Sequence, residues 1–206
     1  MGHLMSCFER LRRPSKEYLF LFPIKEYVDG ALDSYGRFKD EKAVVSELTN
    51  IIDARYRSQG YGINWLLFSE HENPDSPDLN LVSEYLNVAG DCILTAGVSF
   101  MDHVNNHTYA DVDYVLDQLP AHCKLVIGGF HQYDCVDRIA KRSYERGINT
   151  FVDEDTTEMF FVRMVLDEIP LVRNEWTLPA LGIPEDDWAY DRVVKMRANK
   201  PWFVQK

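Results

Sequence analysis

The sequence predicts a doubly wound α/β fold, a Rossmann-like three-layer sandwich with a mostly parallel sheet. Short apolar runs of strand length alternate with segments of helical periodicity, and turn residues separate them. The runs are continuous rather than alternating, as in strands buried on both faces. A chain of 206 residues with 46% hydrophobic content supports one substantial core.

In order, Tyr18 to Phe22 is a strand ended by Pro23, and Asp29-Gly30 is a turn signal. Asp40 caps a helix with Val44, Val45, Leu48, Ile51 and Ile52 on one face, and Gly60 stops it. Ile63 to Phe68 is a second strand, residues 70–77 a polar loop and 79–86 a short amphipathic segment. Cys92 to Leu94 is a third strand, followed by a helix over 108–119 with Val112, Val115, Leu116 and Leu119 inward. Leu125 to Ile127 is a strand ended by Gly128-Gly129. The next helix is expected to begin at Cys135, with Asp134 as its N-cap and Gly147 beyond its end. Asn149 to Val152 is the last strand, after which Asp155 caps a helix carrying Phe161, Met164, Val165 and Ile169. Residues 1–170 form the α/β domain. Residues 171–206 form an extension with Trp176, Trp188 and Trp202, too apolar for a free tail. It either packs on its own domain or reaches over a neighbouring subunit.

Composition excludes some functions. The net charge of −11 argues against nucleic acid and against anionic membrane surfaces. No apolar run reaches the roughly 18 residues of a membrane span. Cys7, Cys92, Cys123 and Cys135 form no CxxC pair and have no zinc-finger spacing to histidines. They are expected reduced, with Cys92 and Cys123 as buried packing residues, in a cytoplasmic protein. No cofactor or metal is expected.

In an open α/β sheet, ligands bind beyond the carboxyl ends of the strands. Cys135 falls there, behind a glycine turn and at a helix start, where the helix field favours a thiolate. Three segments give this pattern a family resemblance. They are Tyr27-Val28-Asp29-Gly30-Ala31-Leu32, then Gly129 through Cys135-Val136, and then Arg146-Gly147-Ile148 with Phe151-Val152-Asp153. The order and spacing, over roughly residues 18 to 168, resemble the isochorismatase-like cysteine hydrolases, which include nicotinamidases. The resemblance implies a catalytic aspartate, lysine and cysteine, and usually an oligomer. Cys135 matches the nucleophile. The aspartate position falls on Phe22 and the lysine position on Thr95, while Lys124 lies at the wrong end of its strand. Metal-binding members carry Asp-x-His after the second strand, where this chain has Ser69-Glu70-His71. A loop histidine alone does not make a metal site. His103 and His107 stand four residues apart, but Asn105 and Asn106 between them suggest a loop or helix start rather than a chelating pair.

Two functions follow from the residues. The first is a non-catalytic protein that binds a small molecule or a partner, in a pocket lined by Phe22, His71, Thr95, Phe100, Phe130 and Tyr133. Aromatics around a thiol oppose its ionisation. The alternative is a hydrolase of small amides or related C–N bonds, with Cys135 as nucleophile and His131 as a rebuilt base across the turn.

Overall fold

The computed structural model describes residues 15–35, 40–68, 90–157 and 197–203. Among these, five strands form one parallel sheet: β1 Ser15–Leu21, β2 Gly62–Leu67, β3 Cys92–Thr95, β4 His122–Gly129 and β5 Asn149–Thr157. The spatial order is β3-β2-β1-β4-β5. The chain winds outward from β1 to β3, then returns to the other side of β1 with β4. The switch point therefore lies between β1 and β4, where crevices open in doubly wound sheets.

Side chains alternate across β1 with a period of two, and each set enters a different core. Tyr18 and Phe20 pack with Ile63, Trp65 and Val126 beneath the helices α1 (Lys25–Tyr35) and α2 (Glu41–Arg55). Leu19 and Leu21 pack on the opposite face with Leu125 and Ile127. That face is covered by α4 (Val112–Asp117) and α5 (Asp137–Glu145). A helix layer on each face makes the predicted three-layer sandwich. Trp202 and Phe203 of the C-terminal segment belong to this second core.

Several local expectations hold. The Asp40 carboxylate accepts the Ala43 N–H at 2.9 Å and caps α2. Gly60 is left-handed at φ 75°, and the Gly147 N–H bonds to the Tyr144 carbonyl at 2.9 Å just past α5.

Others are corrected. Asp29-Gly30 lies inside α1 rather than in a turn. Burial of Val28 outweighs the ~1 kcal/mol that a helical glycine costs. The helix expected over 108–119 is the shorter α4, and a separate helix that the sequence did not announce, α3 (Phe100–Asn106), precedes it. They part at His107, whose φ of 53° is left-handed. Each has its own cap: Ser99 accepts the Asp102 N–H, and Asp111 accepts the Asp113 N–H. β5 runs on to Thr157, so the backbone at position 155 is strand rather than a helix start. The polar end of that strand stays in the sheet because its buried side chains find distant partners: Asp153 meets Arg55, and Glu154 meets Arg197.

Cys92 is not reduced but disulfide-bonded. Cys123 is in no disulfide and is exposed rather than buried, because it sits at the solvated start of β4. The expected segment over 79–86, the helix after residue 157 and most of the C-terminal extension lie outside the described residues. No helix among the described residues is long and apolar enough to cross a membrane.

Candidate functional site

The site begins where β1 and β4 end side by side. Gly129 has φ 108°, and a Cβ there would run into the backbone of Leu21. Only glycine allows this approach. Gly128 is as constrained, since a Cβ would meet Thr156 and the Tyr18 hydroxyl. The Phe130 N–H then bonds to the Leu21 carbonyl at 3.1 Å. After a cis peptide bond between Phe130 and His131, the chain enters a wide π-turn over Gln132–Val136. The His131 carbonyl accepts the N–H groups of both Asp134 and Val136 at 3.1 Å.

Cys135 is therefore in the π-turn, two residues ahead of α5, and not the first residue of the α-helix. Its thiol is in no disulfide and is buried. Asp134 does not cap the helix either. Its carboxylate accepts the Arg138 Nε–H at 2.7 Å and hydrogen-bonds to the Tyr109 hydroxyl, raising the pKa values of both. The Arg138 guanidinium also lies 3.9 Å from the centre of the Tyr109 ring.

Over the crevice lies a cluster of rings. Phe22, just past β1, takes a left-handed backbone at φ 55°. That conformation is uncommon for a bulky residue and costs roughly 1–3 kcal/mol. Its ring stacks on Phe68 with centroids 3.9 Å apart and planes within 10°. Phe68 in turn meets Phe100 edge-on at 5.6 Å. Tyr27 stands among four rings: Phe68, Phe100, Phe130 and, at 4.8 Å, His131. Desolvation raises the pKa of the Tyr27 hydroxyl strongly, and the nearby Cys135 adds to the effect. His131 is depressed below 6.5, first by desolvation and then by His103, with Asp134 opposing. His103 lies 5.2 Å from Phe68 and 5.1 Å from Tyr109, ring centre to ring centre.

The residues expected from sequence separate into groups. Phe22, Phe100, Phe130 and His131 meet in the ring cluster around Tyr27. Tyr133 packs against Phe203 at 5.6 Å. The Thr95 hydroxyl lies 3.0 Å from the Tyr114 hydroxyl, and the Thr95 N–H donates to Gln118 at 3.0 Å. Lys124 stands at the start of β4 over the Phe151 ring. His71 lies outside the described residues. Of the loop and helix-start alternatives for His103 and His107, the structure shows a helix: His103 lies in α3 with its ring in the cluster, and His107 caps the helix. No group of three metal-ligating side chains occurs among the described residues.

Sequence reasoning missed Tyr27, Phe68 and Tyr109, and weighed His103 only as half of a chelating pair. Tyr27 was visible as an aromatic two residues before Asp29, in the segment read as a turn. Phe68 was visible as the last apolar residue of the β2 run, at the carboxyl end where sites form. No local signal marks Tyr109, which reaches the site through the break between α3 and α4.

A buried thiol just past the switch point of a doubly wound sheet, close to the Tyr27 ring cluster, defines the class of site. No family model and no curated protein matches the chain. Solved structures similar to it include an isochorismatase family protein, 17% identical, covering 92% of this chain and 96% of that one with a TM-score of 0.48. A candidate isochorismatase hydrolase from Oleispira antarctica is 19% identical, over 71% of this chain and 76% of that one, at 0.47. A MAR1 ribonuclease from Caenorhabditis elegans is 12% identical, over 92% and 93%, at 0.39. At these identities the likeness concerns the fold alone. Isochorismatase-family proteins stand among the similar structures.

Proposed function

We propose that the chain is a divergent isochorismatase-like protein whose Cys135 pocket binds a small flat ligand without hydrolysing it. The observation that carries this reading is Phe22. It occupies the place of the family's aspartate, and its ring is stacked on Phe68 rather than open to a substrate. A carboxylate there would take the thiol proton and return it to a leaving amine, and a phenyl ring can do neither. Thr95, in the lysine's place, is engaged by Gln118 and Tyr114. Tyr27 and Tyr109, both half-buried, give the mouth ring faces for stacking and hydroxyls for orientation.

The test is a thermal-shift and fluorescence screen of planar aromatic amides and acids. The reading expects binding that survives Cys135→Ala and is lost in Tyr27→Ala. Binding that requires the thiol would contradict it. Light scattering tests the oligomer that the resemblance implies.

The second reading keeps Cys135 as nucleophile. His131 favours it, because its depressed pKa leaves the imidazole neutral near pH 7 and able to accept a proton. That reading expects rapid alkylation of Cys135 by iodoacetamide at neutral pH, and an inert thiol counts against it.

A further inference from the structure

We propose that the C-terminal segment Arg197–Phe203 is a clamp on the turn that carries Cys135, so that its docking controls access to the thiol. The segment grips that turn on both sides of Cys135. Upstream, the wholly buried Gln132 donates from Nε2 to Glu154 Oε1 at 2.6 Å and accepts from the Thr157 hydroxyl at 2.5 Å. Glu154 is itself buried, and burial raises its carboxyl pKa while Arg197 opposes the rise. Arg197 supplies two hydrogen bonds to that carboxylate, Nε at 3.1 Å and Nη2 at 2.6 Å. Gln132 is thus held by a carboxylate that the segment neutralises.

Downstream, Asp137 opens α5. Its Oδ1 accepts the Trp202 indole N–H at 2.7 Å, and its Oδ2 accepts the Lys200 ammonium at 2.5 Å. Between these grips, Tyr133 lies against Phe203. Trp202 and Phe203 are buried in the same core cluster as Cys135.

The arrangement exceeds what anchoring the segment requires. Burying Trp202 and Phe203 would fix it in place by apolar area alone. The polar grips instead converge on Gln132 and Asp137, which bracket the thiol. A π-turn lacks the regular hydrogen-bond ladder of a helix and depends on outside contacts for its shape. Releasing the segment removes those contacts together, and Gln132 and Tyr133 lose their partners at the same time. Gln132, Asp137 and Arg197 are positioning residues in this account. It holds whether the pocket binds or hydrolyses.

The experiment follows alkylation of Cys135 in the full chain by peptide mass spectrometry, which separates it from Cys123. Local opening sets that rate. Trp202→Phe removes the indole N–H to Asp137 together with part of the buried ring, and Arg197→Met removes both bonds to Glu154. Each is expected to raise the Cys135 rate by about tenfold. Arg146→Met, which breaks the surface pairs to Asp113 and Asp117 at the far end of α5, serves as control and is expected to leave the rate unchanged. If Arg197→Met does not fold, Trp202→Phe decides alone. Unchanged rates in the clamp variants overturn the proposal. An equal rise in the control also overturns it, because the effect would then be general loosening.

Discussion

Two regions at the carboxyl edge of the sheet hold opposite chemistries. Around Tyr27, which lies near Cys135, rings meet rings: Phe22, Phe68, Phe100 and Phe130. Along the end of β5, carboxylates meet cations. Asp153 is held by the Arg55 guanidinium and the Tyr56 hydroxyl, and Glu154 by Arg197. The acidic chain does not lack charge near its site. The buried carboxylates Asp153 and Glu154 are paired on β5, while rings crowd the mouth of the crevice. A catalytic pair of aspartate and lysine near the thiol needs the chemistry of the second region in the place of the first.

The comparison predicts different responses to mutation. The largest effect belongs to the polar region. Arg55→Met leaves Asp153 buried and without its cation, at a cost of roughly 3–5 kcal/mol, read as a fall in Tm. A shift of a few tenths of a degree would mean that Tyr56 alone satisfies the carboxylate. Next is Phe68→Ala in the ring cluster, which removes the face under Phe22 and is expected to cost about 3 kcal/mol in urea unfolding. A much smaller loss would show that the rings line open space rather than fill it. Gly128→Ala tests the seam between the two regions, where the new methyl meets Thr156 and Tyr18. An overpacking cost of about 2 kcal/mol is expected.

The smallest effect is a pH dependence. His131 has a folded pKa below its ordinary 6.5. The neutral ring is thus the favoured native form. The stability it contributes is present above pH 6.5 and is lost as pH falls through the folded value. His131→Gln should flatten the Tm profile on that acid side and leave it unchanged above pH 7.5. A profile identical to wild type below pH 6.5 would remove His131 from the titrating set.

Much of this architecture was legible in the sequence because apolar strands and amphipathic helices carry their own periodicity. Leu125 to Ile127 and Ile63 to Phe68 announced buried strands, and Asp40 announced its helix. The polar end of β5 did not, because Asp153 and Glu154 are stable in a strand only through Arg55 and Arg197, distant in sequence. In the site, the family pattern pointed to Phe22 and Cys135. Tyr27 was hidden by an Asp-Gly pair that reads locally as a turn and folds as helix because Val28 is buried. Asp134 looked like a helix cap, and only the fold shows Arg138 and Tyr109 beside it.

The most direct test of a binding pocket without hydrolysis is turnover itself. Wild-type protein at high concentration is incubated with nicotinamide, pyrazinamide and an N-carbamoyl amine, and release of ammonia is followed beside Cys135→Ala. The account predicts no release above the variant's background with any of the three. Release by the wild type that disappears in Cys135→Ala would contradict it.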